Sequence, residues 1–177
     1  MFKKVLIAED HEMGSYSVQK TLEDFNVPKV DYVYYCYDAL AKVQKAIREN
    51  EPYDLLITDL SFEEDHYKQN IKGGEELIQK VKEIHPSLKV IVFSGEHKSG
   101  IIDSLFKDYH INGYVRKARH DSKELKKSIA SVFIDEVKDF FLSFGSIICP
   151  DYFSTTALKV RFKLREEFVQ VFHNPPF

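Results

Sequence analysis

The chain has 177 residues, 44% hydrophobic and 30% charged, the profile of a soluble globular protein rather than a disordered or membrane one. A formal net charge of −3 argues against the whole chain being a polyanion binder, though not against a local basic patch. Uninterrupted apolar runs such as Val90 to Phe93 are far too short to cross a bilayer.

The opening MFKKVLIAEDHE is basic and then apolar, but acidic residues follow at once, so it reads as a buried strand rather than a signal peptide. The expected compartment is the cytoplasm. Cys36 and Cys149 have no C-x-x-C spacing, and both are expected to be free thiols there, with a disulfide between them as the minor alternative.

In chain order, Lys4–Ala8 reads as a strand, and Val18, Leu22 and Phe25 then share one helical face. Lys29–Tyr35 reads as a second strand, within the tyrosine-rich DYVYYCY, followed by the stripe Leu40, Val43 and Ile47. Leu55–Thr58 precedes the stripe Leu77, Val81 and Ile84, and Lys89–Phe93 precedes Ile101, Leu105 and Tyr109. Gly113–Arg116 is the last strand. A final helix then starts near Lys123 and carries Leu125, Ile129, Val132, Phe133, Phe140 and Phe144 as far as Gly145. Pro28, Pro52 and Pro86 each fall between a helix and the next strand.

Nearly continuous Val and Ile suit strands covered on both faces. A βα unit repeated five times predicts a doubly wound, flavodoxin-like α/β fold with an extended last helix and a short C-terminal tail. In such sheets the functional site lies beyond the carboxyl ends of the strands, where strand order reverses.

The residues at those ends carry chemistry. Glu9 and Asp10 follow the first strand, Asp59 the third, Ser94 the fourth and Lys117 the fifth. Three carboxylates brought together repel one another and call for a cation. An oxygen-only donor set suits Mg²⁺, which keeps several waters and takes one or two carboxylates plus phosphate oxygens. Lys117 and Ser94 add a point charge and a hydroxyl donor, the parts that phosphoryl transfer needs for positioning and charge neutralisation.

VLIAEDHE, LLITDLSF, KGGEEL with Gly74, VIVFSGE and NGYVRK together closely resemble the receiver domain of two-component response regulators, from about residue 3 to about residue 138. That resemblance implies a phosphoacceptor at Asp59, phosphorylated by a sensor histidine kinase or phosphotransfer protein. It implies Mg²⁺ held by Asp10, Asp59 and the Ser61 backbone carbonyl, with Glu9 acting through water. Lys117 would pair with Asp59 and then with the phosphoryl group. Ser94 and Tyr114 would form the switch, and Ser61 and Glu96 would tune dephosphorylation. Such a protein phosphorylates and dephosphorylates itself and is not a turnover enzyme.

Some features depart from the family pattern. The loop after Asp59 is long and acidic, with Glu63-Glu64-Asp65 and His66, and reads first as a solvated loop and second as a device that tunes metal binding or kinase choice. Ala118 stands where many members have a cis proline, which predicts a trans bond or a strained turn. His11 beside Asp10 reads as a solvated loop residue rather than a metal ligand.

The expected domains are 1–138, the receiver, and 139–177, a helix extension and tail too short for a complete helix-turn-helix output domain. Phe140, Phe141 and Phe144 would lie exposed and invite homodimerisation or packing by the tail. Lys159, Arg161, Lys163 and Arg165 would share one strand face, read first as a solvated edge and second as a nucleic-acid contact. Two rival functions follow. One is a DNA-binding transcription regulator with a truncated or reduced output domain. The other is a Mg²⁺-dependent phosphatase, against which Ser61 counts, because such enzymes commonly place a second aspartate there.

Overall fold

The computed structural model describes residues 2–62, 71–119 and 121–145. The acidic loop 63–70, His120 and the tail 146–177 lie outside them, as do the side chains of Phe140, Phe141 and Phe144 and Cys149.

Five strands and five helices alternate: β1 (Lys4–Ala8), α1 (Glu12–Asp24), β2 (Lys29–Val33), α2 (Cys36–Arg48), β3 (Leu55–Thr58), α3 (Gly74–Ile84), β4 (Lys89–Ser94), α4 (Ser99–Asp108), β5 (Gly113–Arg116) and α5 (Asp121–Gly145). The strands form one parallel sheet in the order β2-β1-β3-β4-β5. This is the flavodoxin-like architecture that the alternation predicts.

Side chains alternate across each central strand and feed two cores. Leu6, Ala8, Leu56, Val90 and Val92 meet α2, α3 and α4 on one face. Val5, Ile7, Leu55, Ile57, Ile91 and Phe93 meet α1 and α5 on the other. Full burial of each such side chain stabilises by about 1.5–3 kcal/mol, and truncating Leu6 or Leu56 to alanine should cost about 2–5 kcal/mol. Because the chain passes from β1 outward to β2 and then back to β3, strand order reverses between β1 and β3. Residues leaving those two strand ends are left side by side.

Three expectations need correction. The second strand stops at Val33 rather than Tyr35, because as an edge it pairs with β1 only over Lys29–Val33. Tyr35 instead accepts the Ala39 N–H at 3.1 Å and starts α2, so Cys36 and Tyr37 are helical. The fourth strand runs one residue further than expected, since Ser94 pairs with Arg116. In α3 the buried face is Leu77, Ile78 and Val81, while Ile84 is exposed.

Helices α1 and α2 stop at asparagines in the left-handed region, Asn26 (φ 49°) and Asn50 (φ 57°). Val27 N–H then reaches Leu22 O and Glu51 N–H reaches Ala46 O, closing the last turns as a Schellman cap does. The prolines come later and prevent resumption rather than making the turn. All described peptide bonds are trans, the Lys117–Ala118 bond included.

One compact unit, Met1–Phe133, contains the sheet, and Ile134 begins a second that includes the end of α5. Among the described residues no helix is long and apolar enough to cross a membrane.

Candidate functional site

The sheet's hydrogen bonding continues one residue past the strand ends and so fixes the site backbone. Glu9 N–H donates to Val33 O (3.1 Å), Asp59 N–H to Ala8 O (3.1 Å) and Lys117 N–H to Ser94 O (2.8 Å). Each chemical residue is thereby tied to the neighbouring strand before its side chain makes any contact.

Lys117 Nζ lies 2.5 Å from Asp59 Oδ2, 2.7 Å from Glu9 Oε2 and 2.9 Å from Glu9 Oε1. It also stands 5.5 Å from the centre of the Phe93 ring. Asp59 Oδ1 accepts the backbone N–H groups of Leu60 (2.6 Å) and Ser61 (3.3 Å), and Glu9 Oε1 accepts that of His11 (3.2 Å). Glu9, Asp59 and Ser94 are buried and Lys117 is half-buried.

Burial raises the Glu9 carboxyl above its usual range, although the Lys117 hydrogen bond and charge oppose the rise. Burial also disfavours the Lys117 charge, but the hydrogen bonds and charges of Asp59 and Glu9 outweigh it, and the ammonium is held more firmly than usual. Protonated Lys117 is thus shared between two buried carboxylates.

Asp10 completes the cluster, with oxygens of Glu9, Asp10 and Asp59 all within 4.8 Å of one another. This set fits a hard divalent cation such as Mg²⁺ or Mn²⁺, which prefers carboxylate oxygen and retained water. His11 Nδ1 lies 3.7 Å from Asp10 Oδ1, and its exposed ring stands outside that group of oxygens.

A second set of bonds joins the site to its rim. The Glu96 N–H points at Ser94 Oγ (3.4 Å), and the Tyr114 hydroxyl donates to Glu96 O (2.6 Å). Burial pushes the Tyr114 phenol up, so it stays a donor. The Glu96 carboxylate accepts the N–H groups of His97 (2.7 Å) and Lys98 (3.0 Å), which hold it below the usual carboxylate range. Its oxygen is therefore committed to the loop that opens α4. Ser61 is exposed beside Asp59, and its N–H is turned inward.

Two residues outside the expected site support it. The Tyr32 hydroxyl donates to Glu9 O (2.7 Å), anchoring the turn that carries the acidic pair. Gly14, on α1, faces the Glu9 carboxylate directly. Gly14 was signalled only by its closeness to the acidic pair, and Tyr32, 23 residues from Glu9, by nothing in the sequence. Gly74 has a third structural role. Its N–H reaches Leu60 O at 3.0 Å, and a Cβ there would collide with the carbonyl oxygen of Asp59. Only glycine lets α3 start so close to the turn at Asp59.

An acidic cluster and a lysine thus meet at the switch point of a doubly wound parallel sheet. Residues 5–130 match the response regulator receiver domain, and the chain belongs to that family.

Solved structures agree in fold. The Mn(2+)-bound form of response regulator Rcp1 is 22% identical, covering 71% of this chain and 90% of that one, with a TM-score of 0.58. The chemotaxis response regulator CheY4 of Vibrio cholerae is also 22% identical, over 75% and 99%, with a TM-score of 0.58. RcsB from Salmonella enterica serovar Typhimurium, bound to promoter rprA with the phosphomimetic BeF3−, is 28% identical over 73% and 98%, with a TM-score of 0.56. No curated protein sequence gives a significant match.

Proposed function

We propose that the protein is a cytoplasmic phosphorylation switch in a two-component relay, with Asp59 as acceptor and a sensor histidine kinase or phosphotransfer protein as donor. The observation that carries this reading is the seating of Asp59 on Lys117 Nζ beside Glu9 and Asp10 at the reversal of strand order.

In the reaction an Asp59 carboxylate oxygen attacks the phosphorus of a phosphohistidine. A P–O bond forms, the P–N bond breaks, and the electron pair leaves with the imidazole. Water later hydrolyses the acyl phosphate to inorganic phosphate and restores the carboxylate, so the protein acts on itself and is no turnover enzyme. Mg²⁺ held by Asp10, Asp59 and the Ser61 carbonyl, with Glu9 through water, would neutralise charge on the transferring oxygens.

Lys117 supplies a fixed positive charge where negative charge accumulates. Asp59 Oδ1 is oriented by the Leu60 and Ser61 amides, so the nucleophile is aimed before the donor arrives. Once the phosphoryl group is present, Ser94 Oγ becomes a donor to it. The Glu96 and Tyr114 contacts then transmit the loop's shift to the surface. Ser61 and Glu96 set the water path to the acyl phosphate.

Incubation with acetyl phosphate and Mg²⁺ tests the reading. The wild type takes up phosphoryl label in a Mg²⁺-dependent way, and Asp59→Asn takes up none. Equal labelling of the two proteins, or none in the wild type, would defeat it.

The second reading, contact with DNA, is favoured by the likeness to the promoter-bound RcsB at 28% identity. A gel-shift assay with the phosphorylated full chain and random-sequence duplex tests it, and unshifted DNA at low salt would remove it.

A further inference from the structure

We propose that Gly14 is a positioning residue for the acidic cluster. Its missing side chain provides the space in which the Glu9 carboxylate reaches Lys117, so that Glu9 and Gly14 act as a matched pair. A Cβ at residue 14 would lie 2.7 Å from Glu9 Cδ, 2.8 Å from Oε2 and 3.1 Å from Oε1. The first two are closer than non-bonded carbon and oxygen tolerate, and the third is tight. The carboxylate has little room to yield, being 1% exposed and held by Lys117 Nζ at 2.7 Å and the His11 N–H at 3.2 Å.

No backbone requirement explains the glycine. Gly14 lies inside α1 without the left-handed φ that favours glycine, and glycine weakens a helix relative to alanine. Side-chain length is the matching variable. An aspartate in place of Glu9 would be shorter by one carbon–carbon bond, about 1.5 Å, and would leave the α1 face clear.

The pairing rests on the reading of the cluster as a cation site, and its test separates the two. Wild type, Gly14→Ala, Glu9→Asp and the double variant are compared as full chains by thermal unfolding without divalent cations, and by calorimetric titration with Mg²⁺. Gly14→Ala is expected to lower the melting temperature where Glu9 is kept. In the Glu9→Asp background it should instead raise it by about 2–4 °C, the ordinary helix gain. It should weaken Mg²⁺ binding about tenfold where Glu9 is kept, a drop equivalent to 1.4 kcal/mol, and leave binding by the Glu9→Asp variant unchanged. Equal shifts in the two backgrounds, in either measurement, overturn the proposal. If the wild type binds no Mg²⁺, the cation-site reading falls. The melting temperatures then decide Gly14 alone, with reversed signs supporting its role and equal shifts refuting it.

Discussion

The two ends of the sheet each hold a lysine among acidic residues, yet they are built differently. At the amino ends, Lys4 Nζ donates to Glu51 O at 2.9 Å and lies 4.5 Å from the centre of the Tyr53 ring. The Tyr53 hydroxyl donates to Asp31, and Asp54 Oδ2 accepts the amides of Lys3 and Lys4, stitching β3 to β1. At the carboxyl ends, Lys117 is shared by Glu9 and Asp59, with Asp10 alongside.

The amino-end cation is satisfied by neutral groups, and its neighbouring carboxylates by amides, a hydroxyl and the separate cation Lys42. The other end concentrates like charge around one ammonium, a repulsive arrangement unless an ion or a new group enters. Like charges gathered around one ammonium mark the carboxyl ends of the strands, and satisfied hydrogen bonding marks the amino ends.

The largest effect that would test this contrast is steric. Gly74→Ala drives a methyl group into the Asp59 carbonyl and should cost about 3 kcal/mol, read as the denaturant midpoint. Gly100→Ala, in open space on α4, should be neutral or slightly stabilising, and similar losses for both would remove the close-approach argument.

Next is the pair of lysines. Lys117→Met should destabilise the Mg²⁺-free protein by about 2 kcal/mol, less than a fully buried pair because 21% of its side chain meets solvent. Added Mg²⁺ should recover most of that loss. Lys4→Met should cost about 1 kcal/mol or less, whatever the Mg²⁺ concentration. Identical responses to Mg²⁺ would erase the distinction between the two ends.

A smaller effect concerns Cys36, whose thiol burial pushes up to about 12. In a Cys149→Ser background, labelling with a thiol reagent at pH 8 should be negligible until denaturant opens the core. Fast native labelling would show that the sheet's α2 face opens readily.

The smallest is a pH effect away from the site. The Lys72 N–H and then Lys80 hold the exposed Glu76 carboxyl below its usual value of 4.5. A lowered folded-state value gives stability that is present above 4.5 and lost as pH falls through the folded value. Glu76→Gln should therefore flatten the acid limb of the melting-temperature profile slightly. An unchanged limb would mean the carboxylate adds nothing there.

Much of this was legible in one dimension. Apolar runs of strand length separated by helical stripes identify the fold, because burying both faces of a sheet leaves few other solutions. Residues just past strand ends are readable for the same reason, since a strand's end fixes where the next side chain emerges. The errors fell where neighbours decide. Tyr34 and Tyr35 have high strand propensity, but an edge strand with one partner ends when that partner does. Ile84 fits the helical stripe, yet the groove above β3 and β4 takes Ile78 instead.

The sequence by itself determined the order of elements, the fold they close into and which chemical groups gather at the carboxyl ends of its strands. Periodicity and strand-end position are local properties that need no knowledge of packing. Only the tertiary structure decided that Lys117 is shared between Glu9 and Asp59, that the Glu96 carboxylate turns back onto its own loop, and that Gly14 faces Glu9. Those depend on distances between residues far apart in sequence or on opposite sides of a turn. They are set by side-chain length and packing, which no one-dimensional pattern encodes.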